Sequence, residues 1–307
     1  MAPALLRNDS YDLEPRKSPS SSRSKVTSIP KVSEIDFNAY ETEERLIDDI
    51  ISSLKVSGGC IIRSMYQQST LHAMEQEIRP YINATGKATS TTLSNSWHGT
   101  QSRTSTSAPQ LSTTVTFSIS PGTPAQGLHR DDDIYHTQHP AAPSHHLGRD
   151  TMLCLFVAGK KCTPANGATR FVPGSHLWDY CVPPPTYPSS ADTNGNEDGD
   201  HTLFAHAAMN PGDAFMMLGG TYHGAGSNTT RDEERLVYAA FATRGFLRQE
   251  ENQYLANHLE RIRELPIELQ RFAGFGASKP YMGWVDMEEP VRLLNGDGVE
   301  MGEVEFW

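Results

Sequence analysis

The sequence predicts a mainly β protein with flanking helices, a double-stranded β-helix of the jelly-roll or cupin-like kind. Three features carry that expectation. Short apolar runs of strand length are separated by Gly-, Pro- and Asn-containing turns, two amphipathic helical segments precede them, and 307 residues can enclose one barrel-sized core with chain to spare.

Taken in order, residues 1–35 are rich in Ser, Pro, Lys and Arg and carry too little apolar surface to offset ordering entropy, which predicts a flexible tail. One domain is expected over 36–290, with a C-terminal tail over 291–307. Leu46, Ile47, Ile50, Ile51 and Leu54 recur at helical spacing, and Gly58-Gly59 should stop that helix. A short strand from Cys60 follows, then a second helix from Ser69 carrying Leu71, Met74 and Ile78, limited by Pro80. The Thr- and Ser-rich stretch 83–110, in which Trp97 and His98 stand out, shows no periodicity. Val115, Phe117 and Ile119 alternate with polar residues, as on a half-buried strand, whereas Met152–Val157 is a continuous apolar run suited to a strand covered on both faces. Asn166-Gly167 signals a turn into a strand bearing Thr169. The Pro-rich and acidic stretch 177–202 is long enough to be a lid-like loop, with Trp178 and Tyr180 at its start. Asn210-Pro-Gly-Asp213 launches the next strand, Arg235–Phe241 forms another with Arg235, Val237, Ala239 and Phe241 on one face, and 252–272 reads as helical with Leu255, Leu259, Ile262 and Leu265 inward. Trp284 is expected to pack.

Composition narrows the function. A net charge of −11 with no basic cluster beyond Arg23-Ser-Lys25 disfavours nucleic acid. No apolar stretch reaches the roughly 18 residues of a membrane span, and the N-terminus lacks a signal-peptide core, so a soluble cytoplasmic protein is the default expectation. The four cysteines have no metal-ligand spacing and imply no disulfide. His136, His139, His145 and His146 are irregularly spaced on a proline-containing stretch and read as solvated.

The chemistry gathers in Gln126-Gly-Leu-His129-Arg-Asp131-Asp-Asp and, much later, His223. On a strand, residues i and i+2 share a face, so His129 and Asp131 can present an imidazole and a carboxylate together, with His223 arriving from another strand. Two His and one carboxylate on one side of a metal leave the other side open, as non-haem Fe(II) oxygenases require for oxygen and a co-substrate. A bare His-x-Asp is weak evidence, but its companions strengthen it: Asn166-Gly-Ala-Thr169-Arg-Phe-Val-Pro-Gly-Ser-His176, then Arg235 beyond His223.

In this order the motifs resemble the phytanoyl-CoA dioxygenase-like branch of the Fe(II)/2-oxoglutarate-dependent oxygenases. The likeness extends over roughly residues 40–285 and is nearest to fungal members that tailor natural products, including fumitremorgin-type endoperoxide synthases and meroterpenoid dioxygenases. The resemblance implies Fe(II) held by His129, Asp131 and His223, with O2 as co-substrate and ascorbate as an in vitro activator. It implies that 2-oxoglutarate is decarboxylated to succinate and CO2 while a bound substrate is oxidised. The far carboxylate of 2-oxoglutarate needs a cation with a two-pronged fork, which favours Arg235, with Arg231 as competitor. Thr169 and Gln126 can donate to the same molecule, and Arg79 is the candidate for an arginine contributed by the N-terminal portion. Strict alternation points Gln126 away from His129; Gly127 can bend the chain, and the resemblance supports the inward placement.

The expected substrate is an apolar small molecule of secondary metabolism, such as a terpenoid, meroterpenoid, alkaloid or polyketide. Tyr135, Trp178, Met217 and Phe241 are candidate contacts, with Phe117 beside them. Hydroxylation, desaturation, epoxidation, rearrangement and endoperoxidation stay open. Tyr281–Trp284 resembles a segment with which relatives close the active site or a dimer interface, which leaves a homodimer open. Competing readings are a jelly-roll metal- or ligand-binding protein without oxygenase activity, a cupin enzyme independent of 2-oxoglutarate, and an oxygenase acting on a protein side chain.

Overall fold

A computed structural model of the chain describes residues 29–85, 107–186, 203–296, 298–300 and 302. Among the described residues nine strands form two sheets. In chain order they are β1 (Ser33–Asp36), β2 (Gly59–Arg63), β3 (Pro109–Ile119), β4 (Met152–Ala158), β5 (Thr169–Phe171), β6 (Ala205–His206), β7 (Ala214–Leu218), β8 (His223–Ala225) and β9 (Arg235–Arg244). The large sheet runs β1-β2-β7-β4-β9-β3 and the small one β6-β5-β8. Among these strands β1 and β2 pair in parallel and the other pairs are antiparallel. This is the double-stranded β-helix expected from the sequence, with the small sheet over the inner face of the large one.

Period-two alternation decides which residue serves which layer. On β4, Leu155 and Val157 face outward while Cys154 and Phe156 face inward. On β7, Met216 and Leu218 face out, and Phe215 and Met217 face in against Phe171 of the small sheet. The apolar run of β4 is therefore covered on both faces, as its lack of alternation implies.

The outer layer is made by α1 (Glu43–Ser57) and α2 (Gln68–Thr85). Leu46 and Leu54 of α1, and Leu71, Ile78 and Ile82 of α2, pack on the outward residues of β2, β4, β7 and β9. Helix α1 ends at Gly58, which adopts a φ of 74° and donates its N–H to the Leu54 carbonyl at 2.9 Å. Helix α2 does not stop at Pro80 but runs five residues further. The apolar face continues to Ile82, which is 9% exposed, and burying it helps offset the hydrogen bond that proline removes.

Three other expectations are corrected. The segment 252–272 is not one helix but α3 (Gln253–Ala256), α4 (Leu259–Arg263) and α5 (Ile267–Gln270), followed by a π turn over Arg271–Phe275. Asn252 caps α3 through Leu255 N–H, and the Asn257 side chain donates back to the Gln253 carbonyl, so local side-chain bonds break the helical run. Of the expected inward face, Ile262 is buried and Leu255 is exposed. Chain beyond 290 does not begin as a tail: α6 (Pro290–Asn295) inserts Val291 into a small cluster with Ile262, Ala273 and Phe275. Trp284 is 44% exposed and so only partly buried. Among the described residues no helix is long and apolar enough to cross a membrane. All four cysteines are free, with only Cys181 exposed. Trp97, His98, most of the N-terminal tail and the lid stretch from 187 lie outside the described residues.

Candidate active site

His129, Asp131 and His223 converge, though not by sharing a strand face. His129 forms a single antiparallel bridge with His223, bonded both ways between their backbones at 2.9 and 3.0 Å. Asp131 then opens a 3-10 turn over Asp131–Tyr135, its N–H held by the Gly219 carbonyl at 2.9 Å. The chain 219–223 thus fixes two of the three groups, supplying His223 and a carbonyl for Asp131. His129 Nε2 lies 3.4 Å from Asp131 Oδ1, and His223 Nε2 lies 3.4 Å from Asp131 Oδ2. One ligand atom from each residue falls within 4.8 Å of the others, a spacing able to hold one metal ion.

The surroundings prepare these atoms for that task. His129 Nδ1 is 3.0 Å from the Gly127 carbonyl and His223 Nδ1 is 3.1 Å from the Thr221 carbonyl, contacts in which Nδ1–H donates and which leave each Nε2 turned toward Asp131. Burial dominates at His223 and lowers its pKa, holding the ring neutral. At His129, which is less buried, desolvation also pulls downward but Asp131 and the Gly127 carbonyl outweigh it, and its pKa rises. Burial pushes the Asp131 carboxyl upward, yet the two imidazoles and the Cys154 thiol, which donates at 3.2 Å, bring it below its usual value.

A cavity of about 460 Å³ opens over the triad, with Arg235 and Thr169 also on its wall. Arg235 is 3% exposed. One of its Nη atoms donates to the Gly167 carbonyl, while Nε has no partner among the described residues. Burial lowers its pKa, and no carboxylate among the described residues offsets that cost. Gly167 holds a φ of 89°, and a Cβ there would come within 2.6 Å of the Gly226 carbonyl oxygen, so the turn that presents Thr169 and meets Arg235 depends on glycine. Arg231 is exposed and does not reach the cavity. Gln126 lies at the rim, where its side-chain oxygen accepts from Ala225 N–H at 3.3 Å.

Arg79 has a different role from the one expected of it. It sits outside the barrel, paired with Glu75 and with Glu234 at 2.7 and 3.1 Å. Glu234, the residue just before β9, turns its carboxylate to Arg79 and Lys160, while Arg235 turns its side chain into the cavity. Burial alone would raise the Glu234 carboxyl, but Arg79, Lys160 and Ser118 hold it down to about 2. Of the expected substrate contacts, Phe241 lines the cavity, as does Phe117. Met217 is fully buried in the core between the sheets, Trp178 meets Tyr222 edge-on, and Tyr135 turns its hydroxyl to Ser112 Oγ at 3.1 Å. None of the three lines the cavity. His145 is not solvated either: its side chain is 7% exposed and bonds Asp150 at 2.6 Å.

A polar cluster that no sequence period reveals lies behind the triad. The Arg130 guanidinium lies between the rings of Tyr180 and Tyr222, 3.9 and 3.8 Å from their centroids, and donates to the carbonyls of Gly220 and Ser175. Asp132, 1% exposed, accepts from Tyr180 Oη at 2.9 Å, while its other oxygen has no partner among the described residues. Burial pushes the Asp132 carboxyl up to about 6. Gly220 is required by closeness, since a Cβ there would lie 2.0 Å from Tyr180 Oη. The residues alternating with His129 and Asp131 thus tie the metal-facing turn to segment 178–182. Tyr180→Phe keeps the ring over Arg130 but strands the Asp132 carboxyl, at an expected cost of about 1–3 kcal/mol. Thermal unfolding in chelator should show that loss, and titration with Mn(II) should show metal affinity falling by roughly 10-fold.

Fold and site together define a jelly-roll protein with a two-histidine, one-carboxylate constellation at the mouth of its barrel. A family model, phytanoyl-CoA dioxygenase (PhyH), matches residues 98–237. The chain is 33% identical over 313 residues to the dioxygenase cnsJ of Penicillium expansum, covering 89% of this chain and 90% of that one. It is 34% identical over 304 residues to the dioxygenase himG of Aspergillus japonicus, covering 84% and 90%, and 32% identical over 287 residues to the dioxygenase peniF of Penicillium patulum, covering 81% and 88%. The chain belongs to the phytanoyl-CoA dioxygenase family of Fe(II)/2-oxoglutarate-dependent dioxygenases.

Proposed function

We propose that His129, Asp131 and His223 hold the Fe(II), that Arg235 and Thr169 anchor 2-oxoglutarate with Gln126 at the rim, and that the rest of the cavity takes a small molecule of fungal secondary metabolism. The observation that carries this reading is the pairing of two unmet needs in one cavity. Three ligand atoms share a space the size of one ion, and a buried guanidinium on the same wall has an unpartnered Nε and no ion pair among the described residues. A dicarboxylate reaching from a metal to Arg235 answers both. When bound, iron with 2-oxoglutarate and O2 supplies a two-electron oxidation of the substrate as 2-oxoglutarate becomes succinate and CO2.

The chain's own residues set the conditions for it. Backbone carbonyls at Gly127 and Thr221 keep both imidazoles turned with Nε2 inward. The Asp131 carboxylate, 3.4 Å from each Nε2, would offset the charge of an ion held there. Phe156, Phe241 and Val237 exclude water from the walls.

The test is succinate formation by metal-free protein supplied with Fe(II), ascorbate, 2-oxoglutarate and O2. Succinate that appears only with iron supports the reading. Well-folded protein that binds iron but neither forms succinate nor binds 2-oxoglutarate in a calorimeter would overturn it.

A further inference from the structure

The registers of the two longest strands give the cavity a direction. Strand β9 pairs with β3 so that Arg235 lies opposite Ile119 at one end and Phe241 opposite Thr113 at the other, about 20 Å along an extended chain. Asp131 contacts Cys154, which pairs with Phe241, so the triad lies towards the far end from Arg235. The span between Arg235 and the triad belongs to 2-oxoglutarate. What lies beyond the triad belongs to the substrate.

At that end the wall is Thr113, Val115, Ile134, Met152 and Phe241, with one further charged group, Glu250. Glu250 is exposed at the cavity mouth, but its backbone is held in place. Its N–H donates to Ser112 Oγ at 3.1 Å, and the next N–H, of Glu251, donates to the Ser112 carbonyl at 3.2 Å. The preceding residue, Gln249, is pinned through its side chain to the carbonyls of Leu111 and Ala273 at 2.6 and 3.0 Å. Of the two adjacent glutamates, Glu251 is engaged, accepting from Thr113 Oγ1 at 3.2 Å. The Glu250 carboxylate has no hydrogen bond or ion pair among the described residues. Besides Arg235, the cavity wall carries Arg130, whose guanidinium is committed between Tyr180 and Tyr222. Burial and the Asp131 charge both raise the Glu250 pKa, as expected where no positive group answers it.

We infer that Glu250 selects the substrate, and that the substrate is an apolar small molecule carrying a basic nitrogen, whose ammonium is received by this carboxylate while its hydrocarbon body lies on Val115, Ile134 and Phe241. This rests on the dioxygenase reading of the site, because that reading assigns Arg235 to 2-oxoglutarate and leaves the other end for the substrate. A carboxylate facing an apolar wall repels an anionic ligand and gains a charge-assisted hydrogen bond from a cationic one.

Three probes of one size and different charge test the idea: naphthylethylamine, naphthylacetamide and naphthylacetate, titrated calorimetrically into protein loaded with Mn(II) and 2-oxoglutarate. The amine is expected to bind roughly tenfold tighter than the amide, and the acetate weakest. In Glu250→Gln protein the amine should lose that advantage while affinity for 2-oxoglutarate stays unchanged. An amine that binds no tighter than the amide, a preference that survives Glu250→Gln, or failure of all three probes to bind each overturns the assignment. Titration of 2-oxoglutarate into the same Mn(II)-loaded protein reads the dioxygenase assignment separately.

Discussion

Arg235→Met protein is expected to bind 2-oxoglutarate about 30- to 5000-fold more weakly than wild type, the range that corresponds to 2–5 kcal/mol for truncating one member of a buried charge pair. The same change should leave metal-free protein as stable as before, or more stable. Arg235 is buried at 3% exposure, one Nη is spent on the Gly167 carbonyl, and Nε is unpartnered among the described residues. Without its anion this guanidinium is a desolvation cost carried by the fold, and methionine fills similar space without that cost. Arg235→Lys separates charge from shape: it keeps a cation but not the planar fork, so it should recover part of the affinity. Calorimetric titration of 2-oxoglutarate, with thermal unfolding in its absence, reads both effects. If Arg235→Met protein binds 2-oxoglutarate as wild type does, the anchor lies elsewhere.

Much of this geometry is legible in the sequence where a period exposes it. Arg235, Val237, Ala239 and Phe241 share a face because a strand alternates, and the structure turns that face inward. The continuous run Met152–Val157 signals a strand with no solvent side, and β4 lies between β7 and β9. Alternation does not say where along the inner face a residue falls. Met217 and Phe241 both point inward, but Met217 lies in the dry core against the small sheet, whereas Phe241 reaches the cavity. Only the placement of the small sheet separates them.

Elsewhere a correct outcome has a different cause. The His-x-Asp spacing does bring His129 and Asp131 together, but through one bridge and a 3-10 turn, with Gly219 and His223 of the opposing chain fixing both. Arg79 illustrates the opposite case. An arginine on an amphipathic helix can face a site or a salt bridge, and its sequence neighbours do not say which. Glu234, far away in the chain, decides it. The Arg130, Asp132, Tyr180 and Tyr222 cluster and the anchored Glu250 belong to irregular backbone, where no period exists to be read.

Asp131→Ala bears most directly on the metal. Loss of a group that merely orients a ligand costs about 10–100-fold in metal affinity, so loss of the carboxylate itself should cost more than roughly 100-fold. That difference has a readout independent of turnover. At metal concentrations a hundredfold above the wild-type Kd, binding stabilises the wild type by about 2.7 kcal/mol, whereas a variant weakened a hundredfold retains about 0.4 kcal/mol. The metal-induced shift in unfolding temperature should therefore nearly vanish, and iron-dependent succinate formation with it. Metal-free stability should change little. Burial keeps His223 neutral, and His129 without Asp131 loses a main influence that raises its pKa, so removing the carboxylate leaves no uncompensated buried charge. What is lost is the contacts with the two imidazoles and with Cys154, and a small volume beside them. An Asp131→Ala protein that keeps the wild-type metal shift would remove the carboxylate from the ligand set and leave the two histidines to find a third partner.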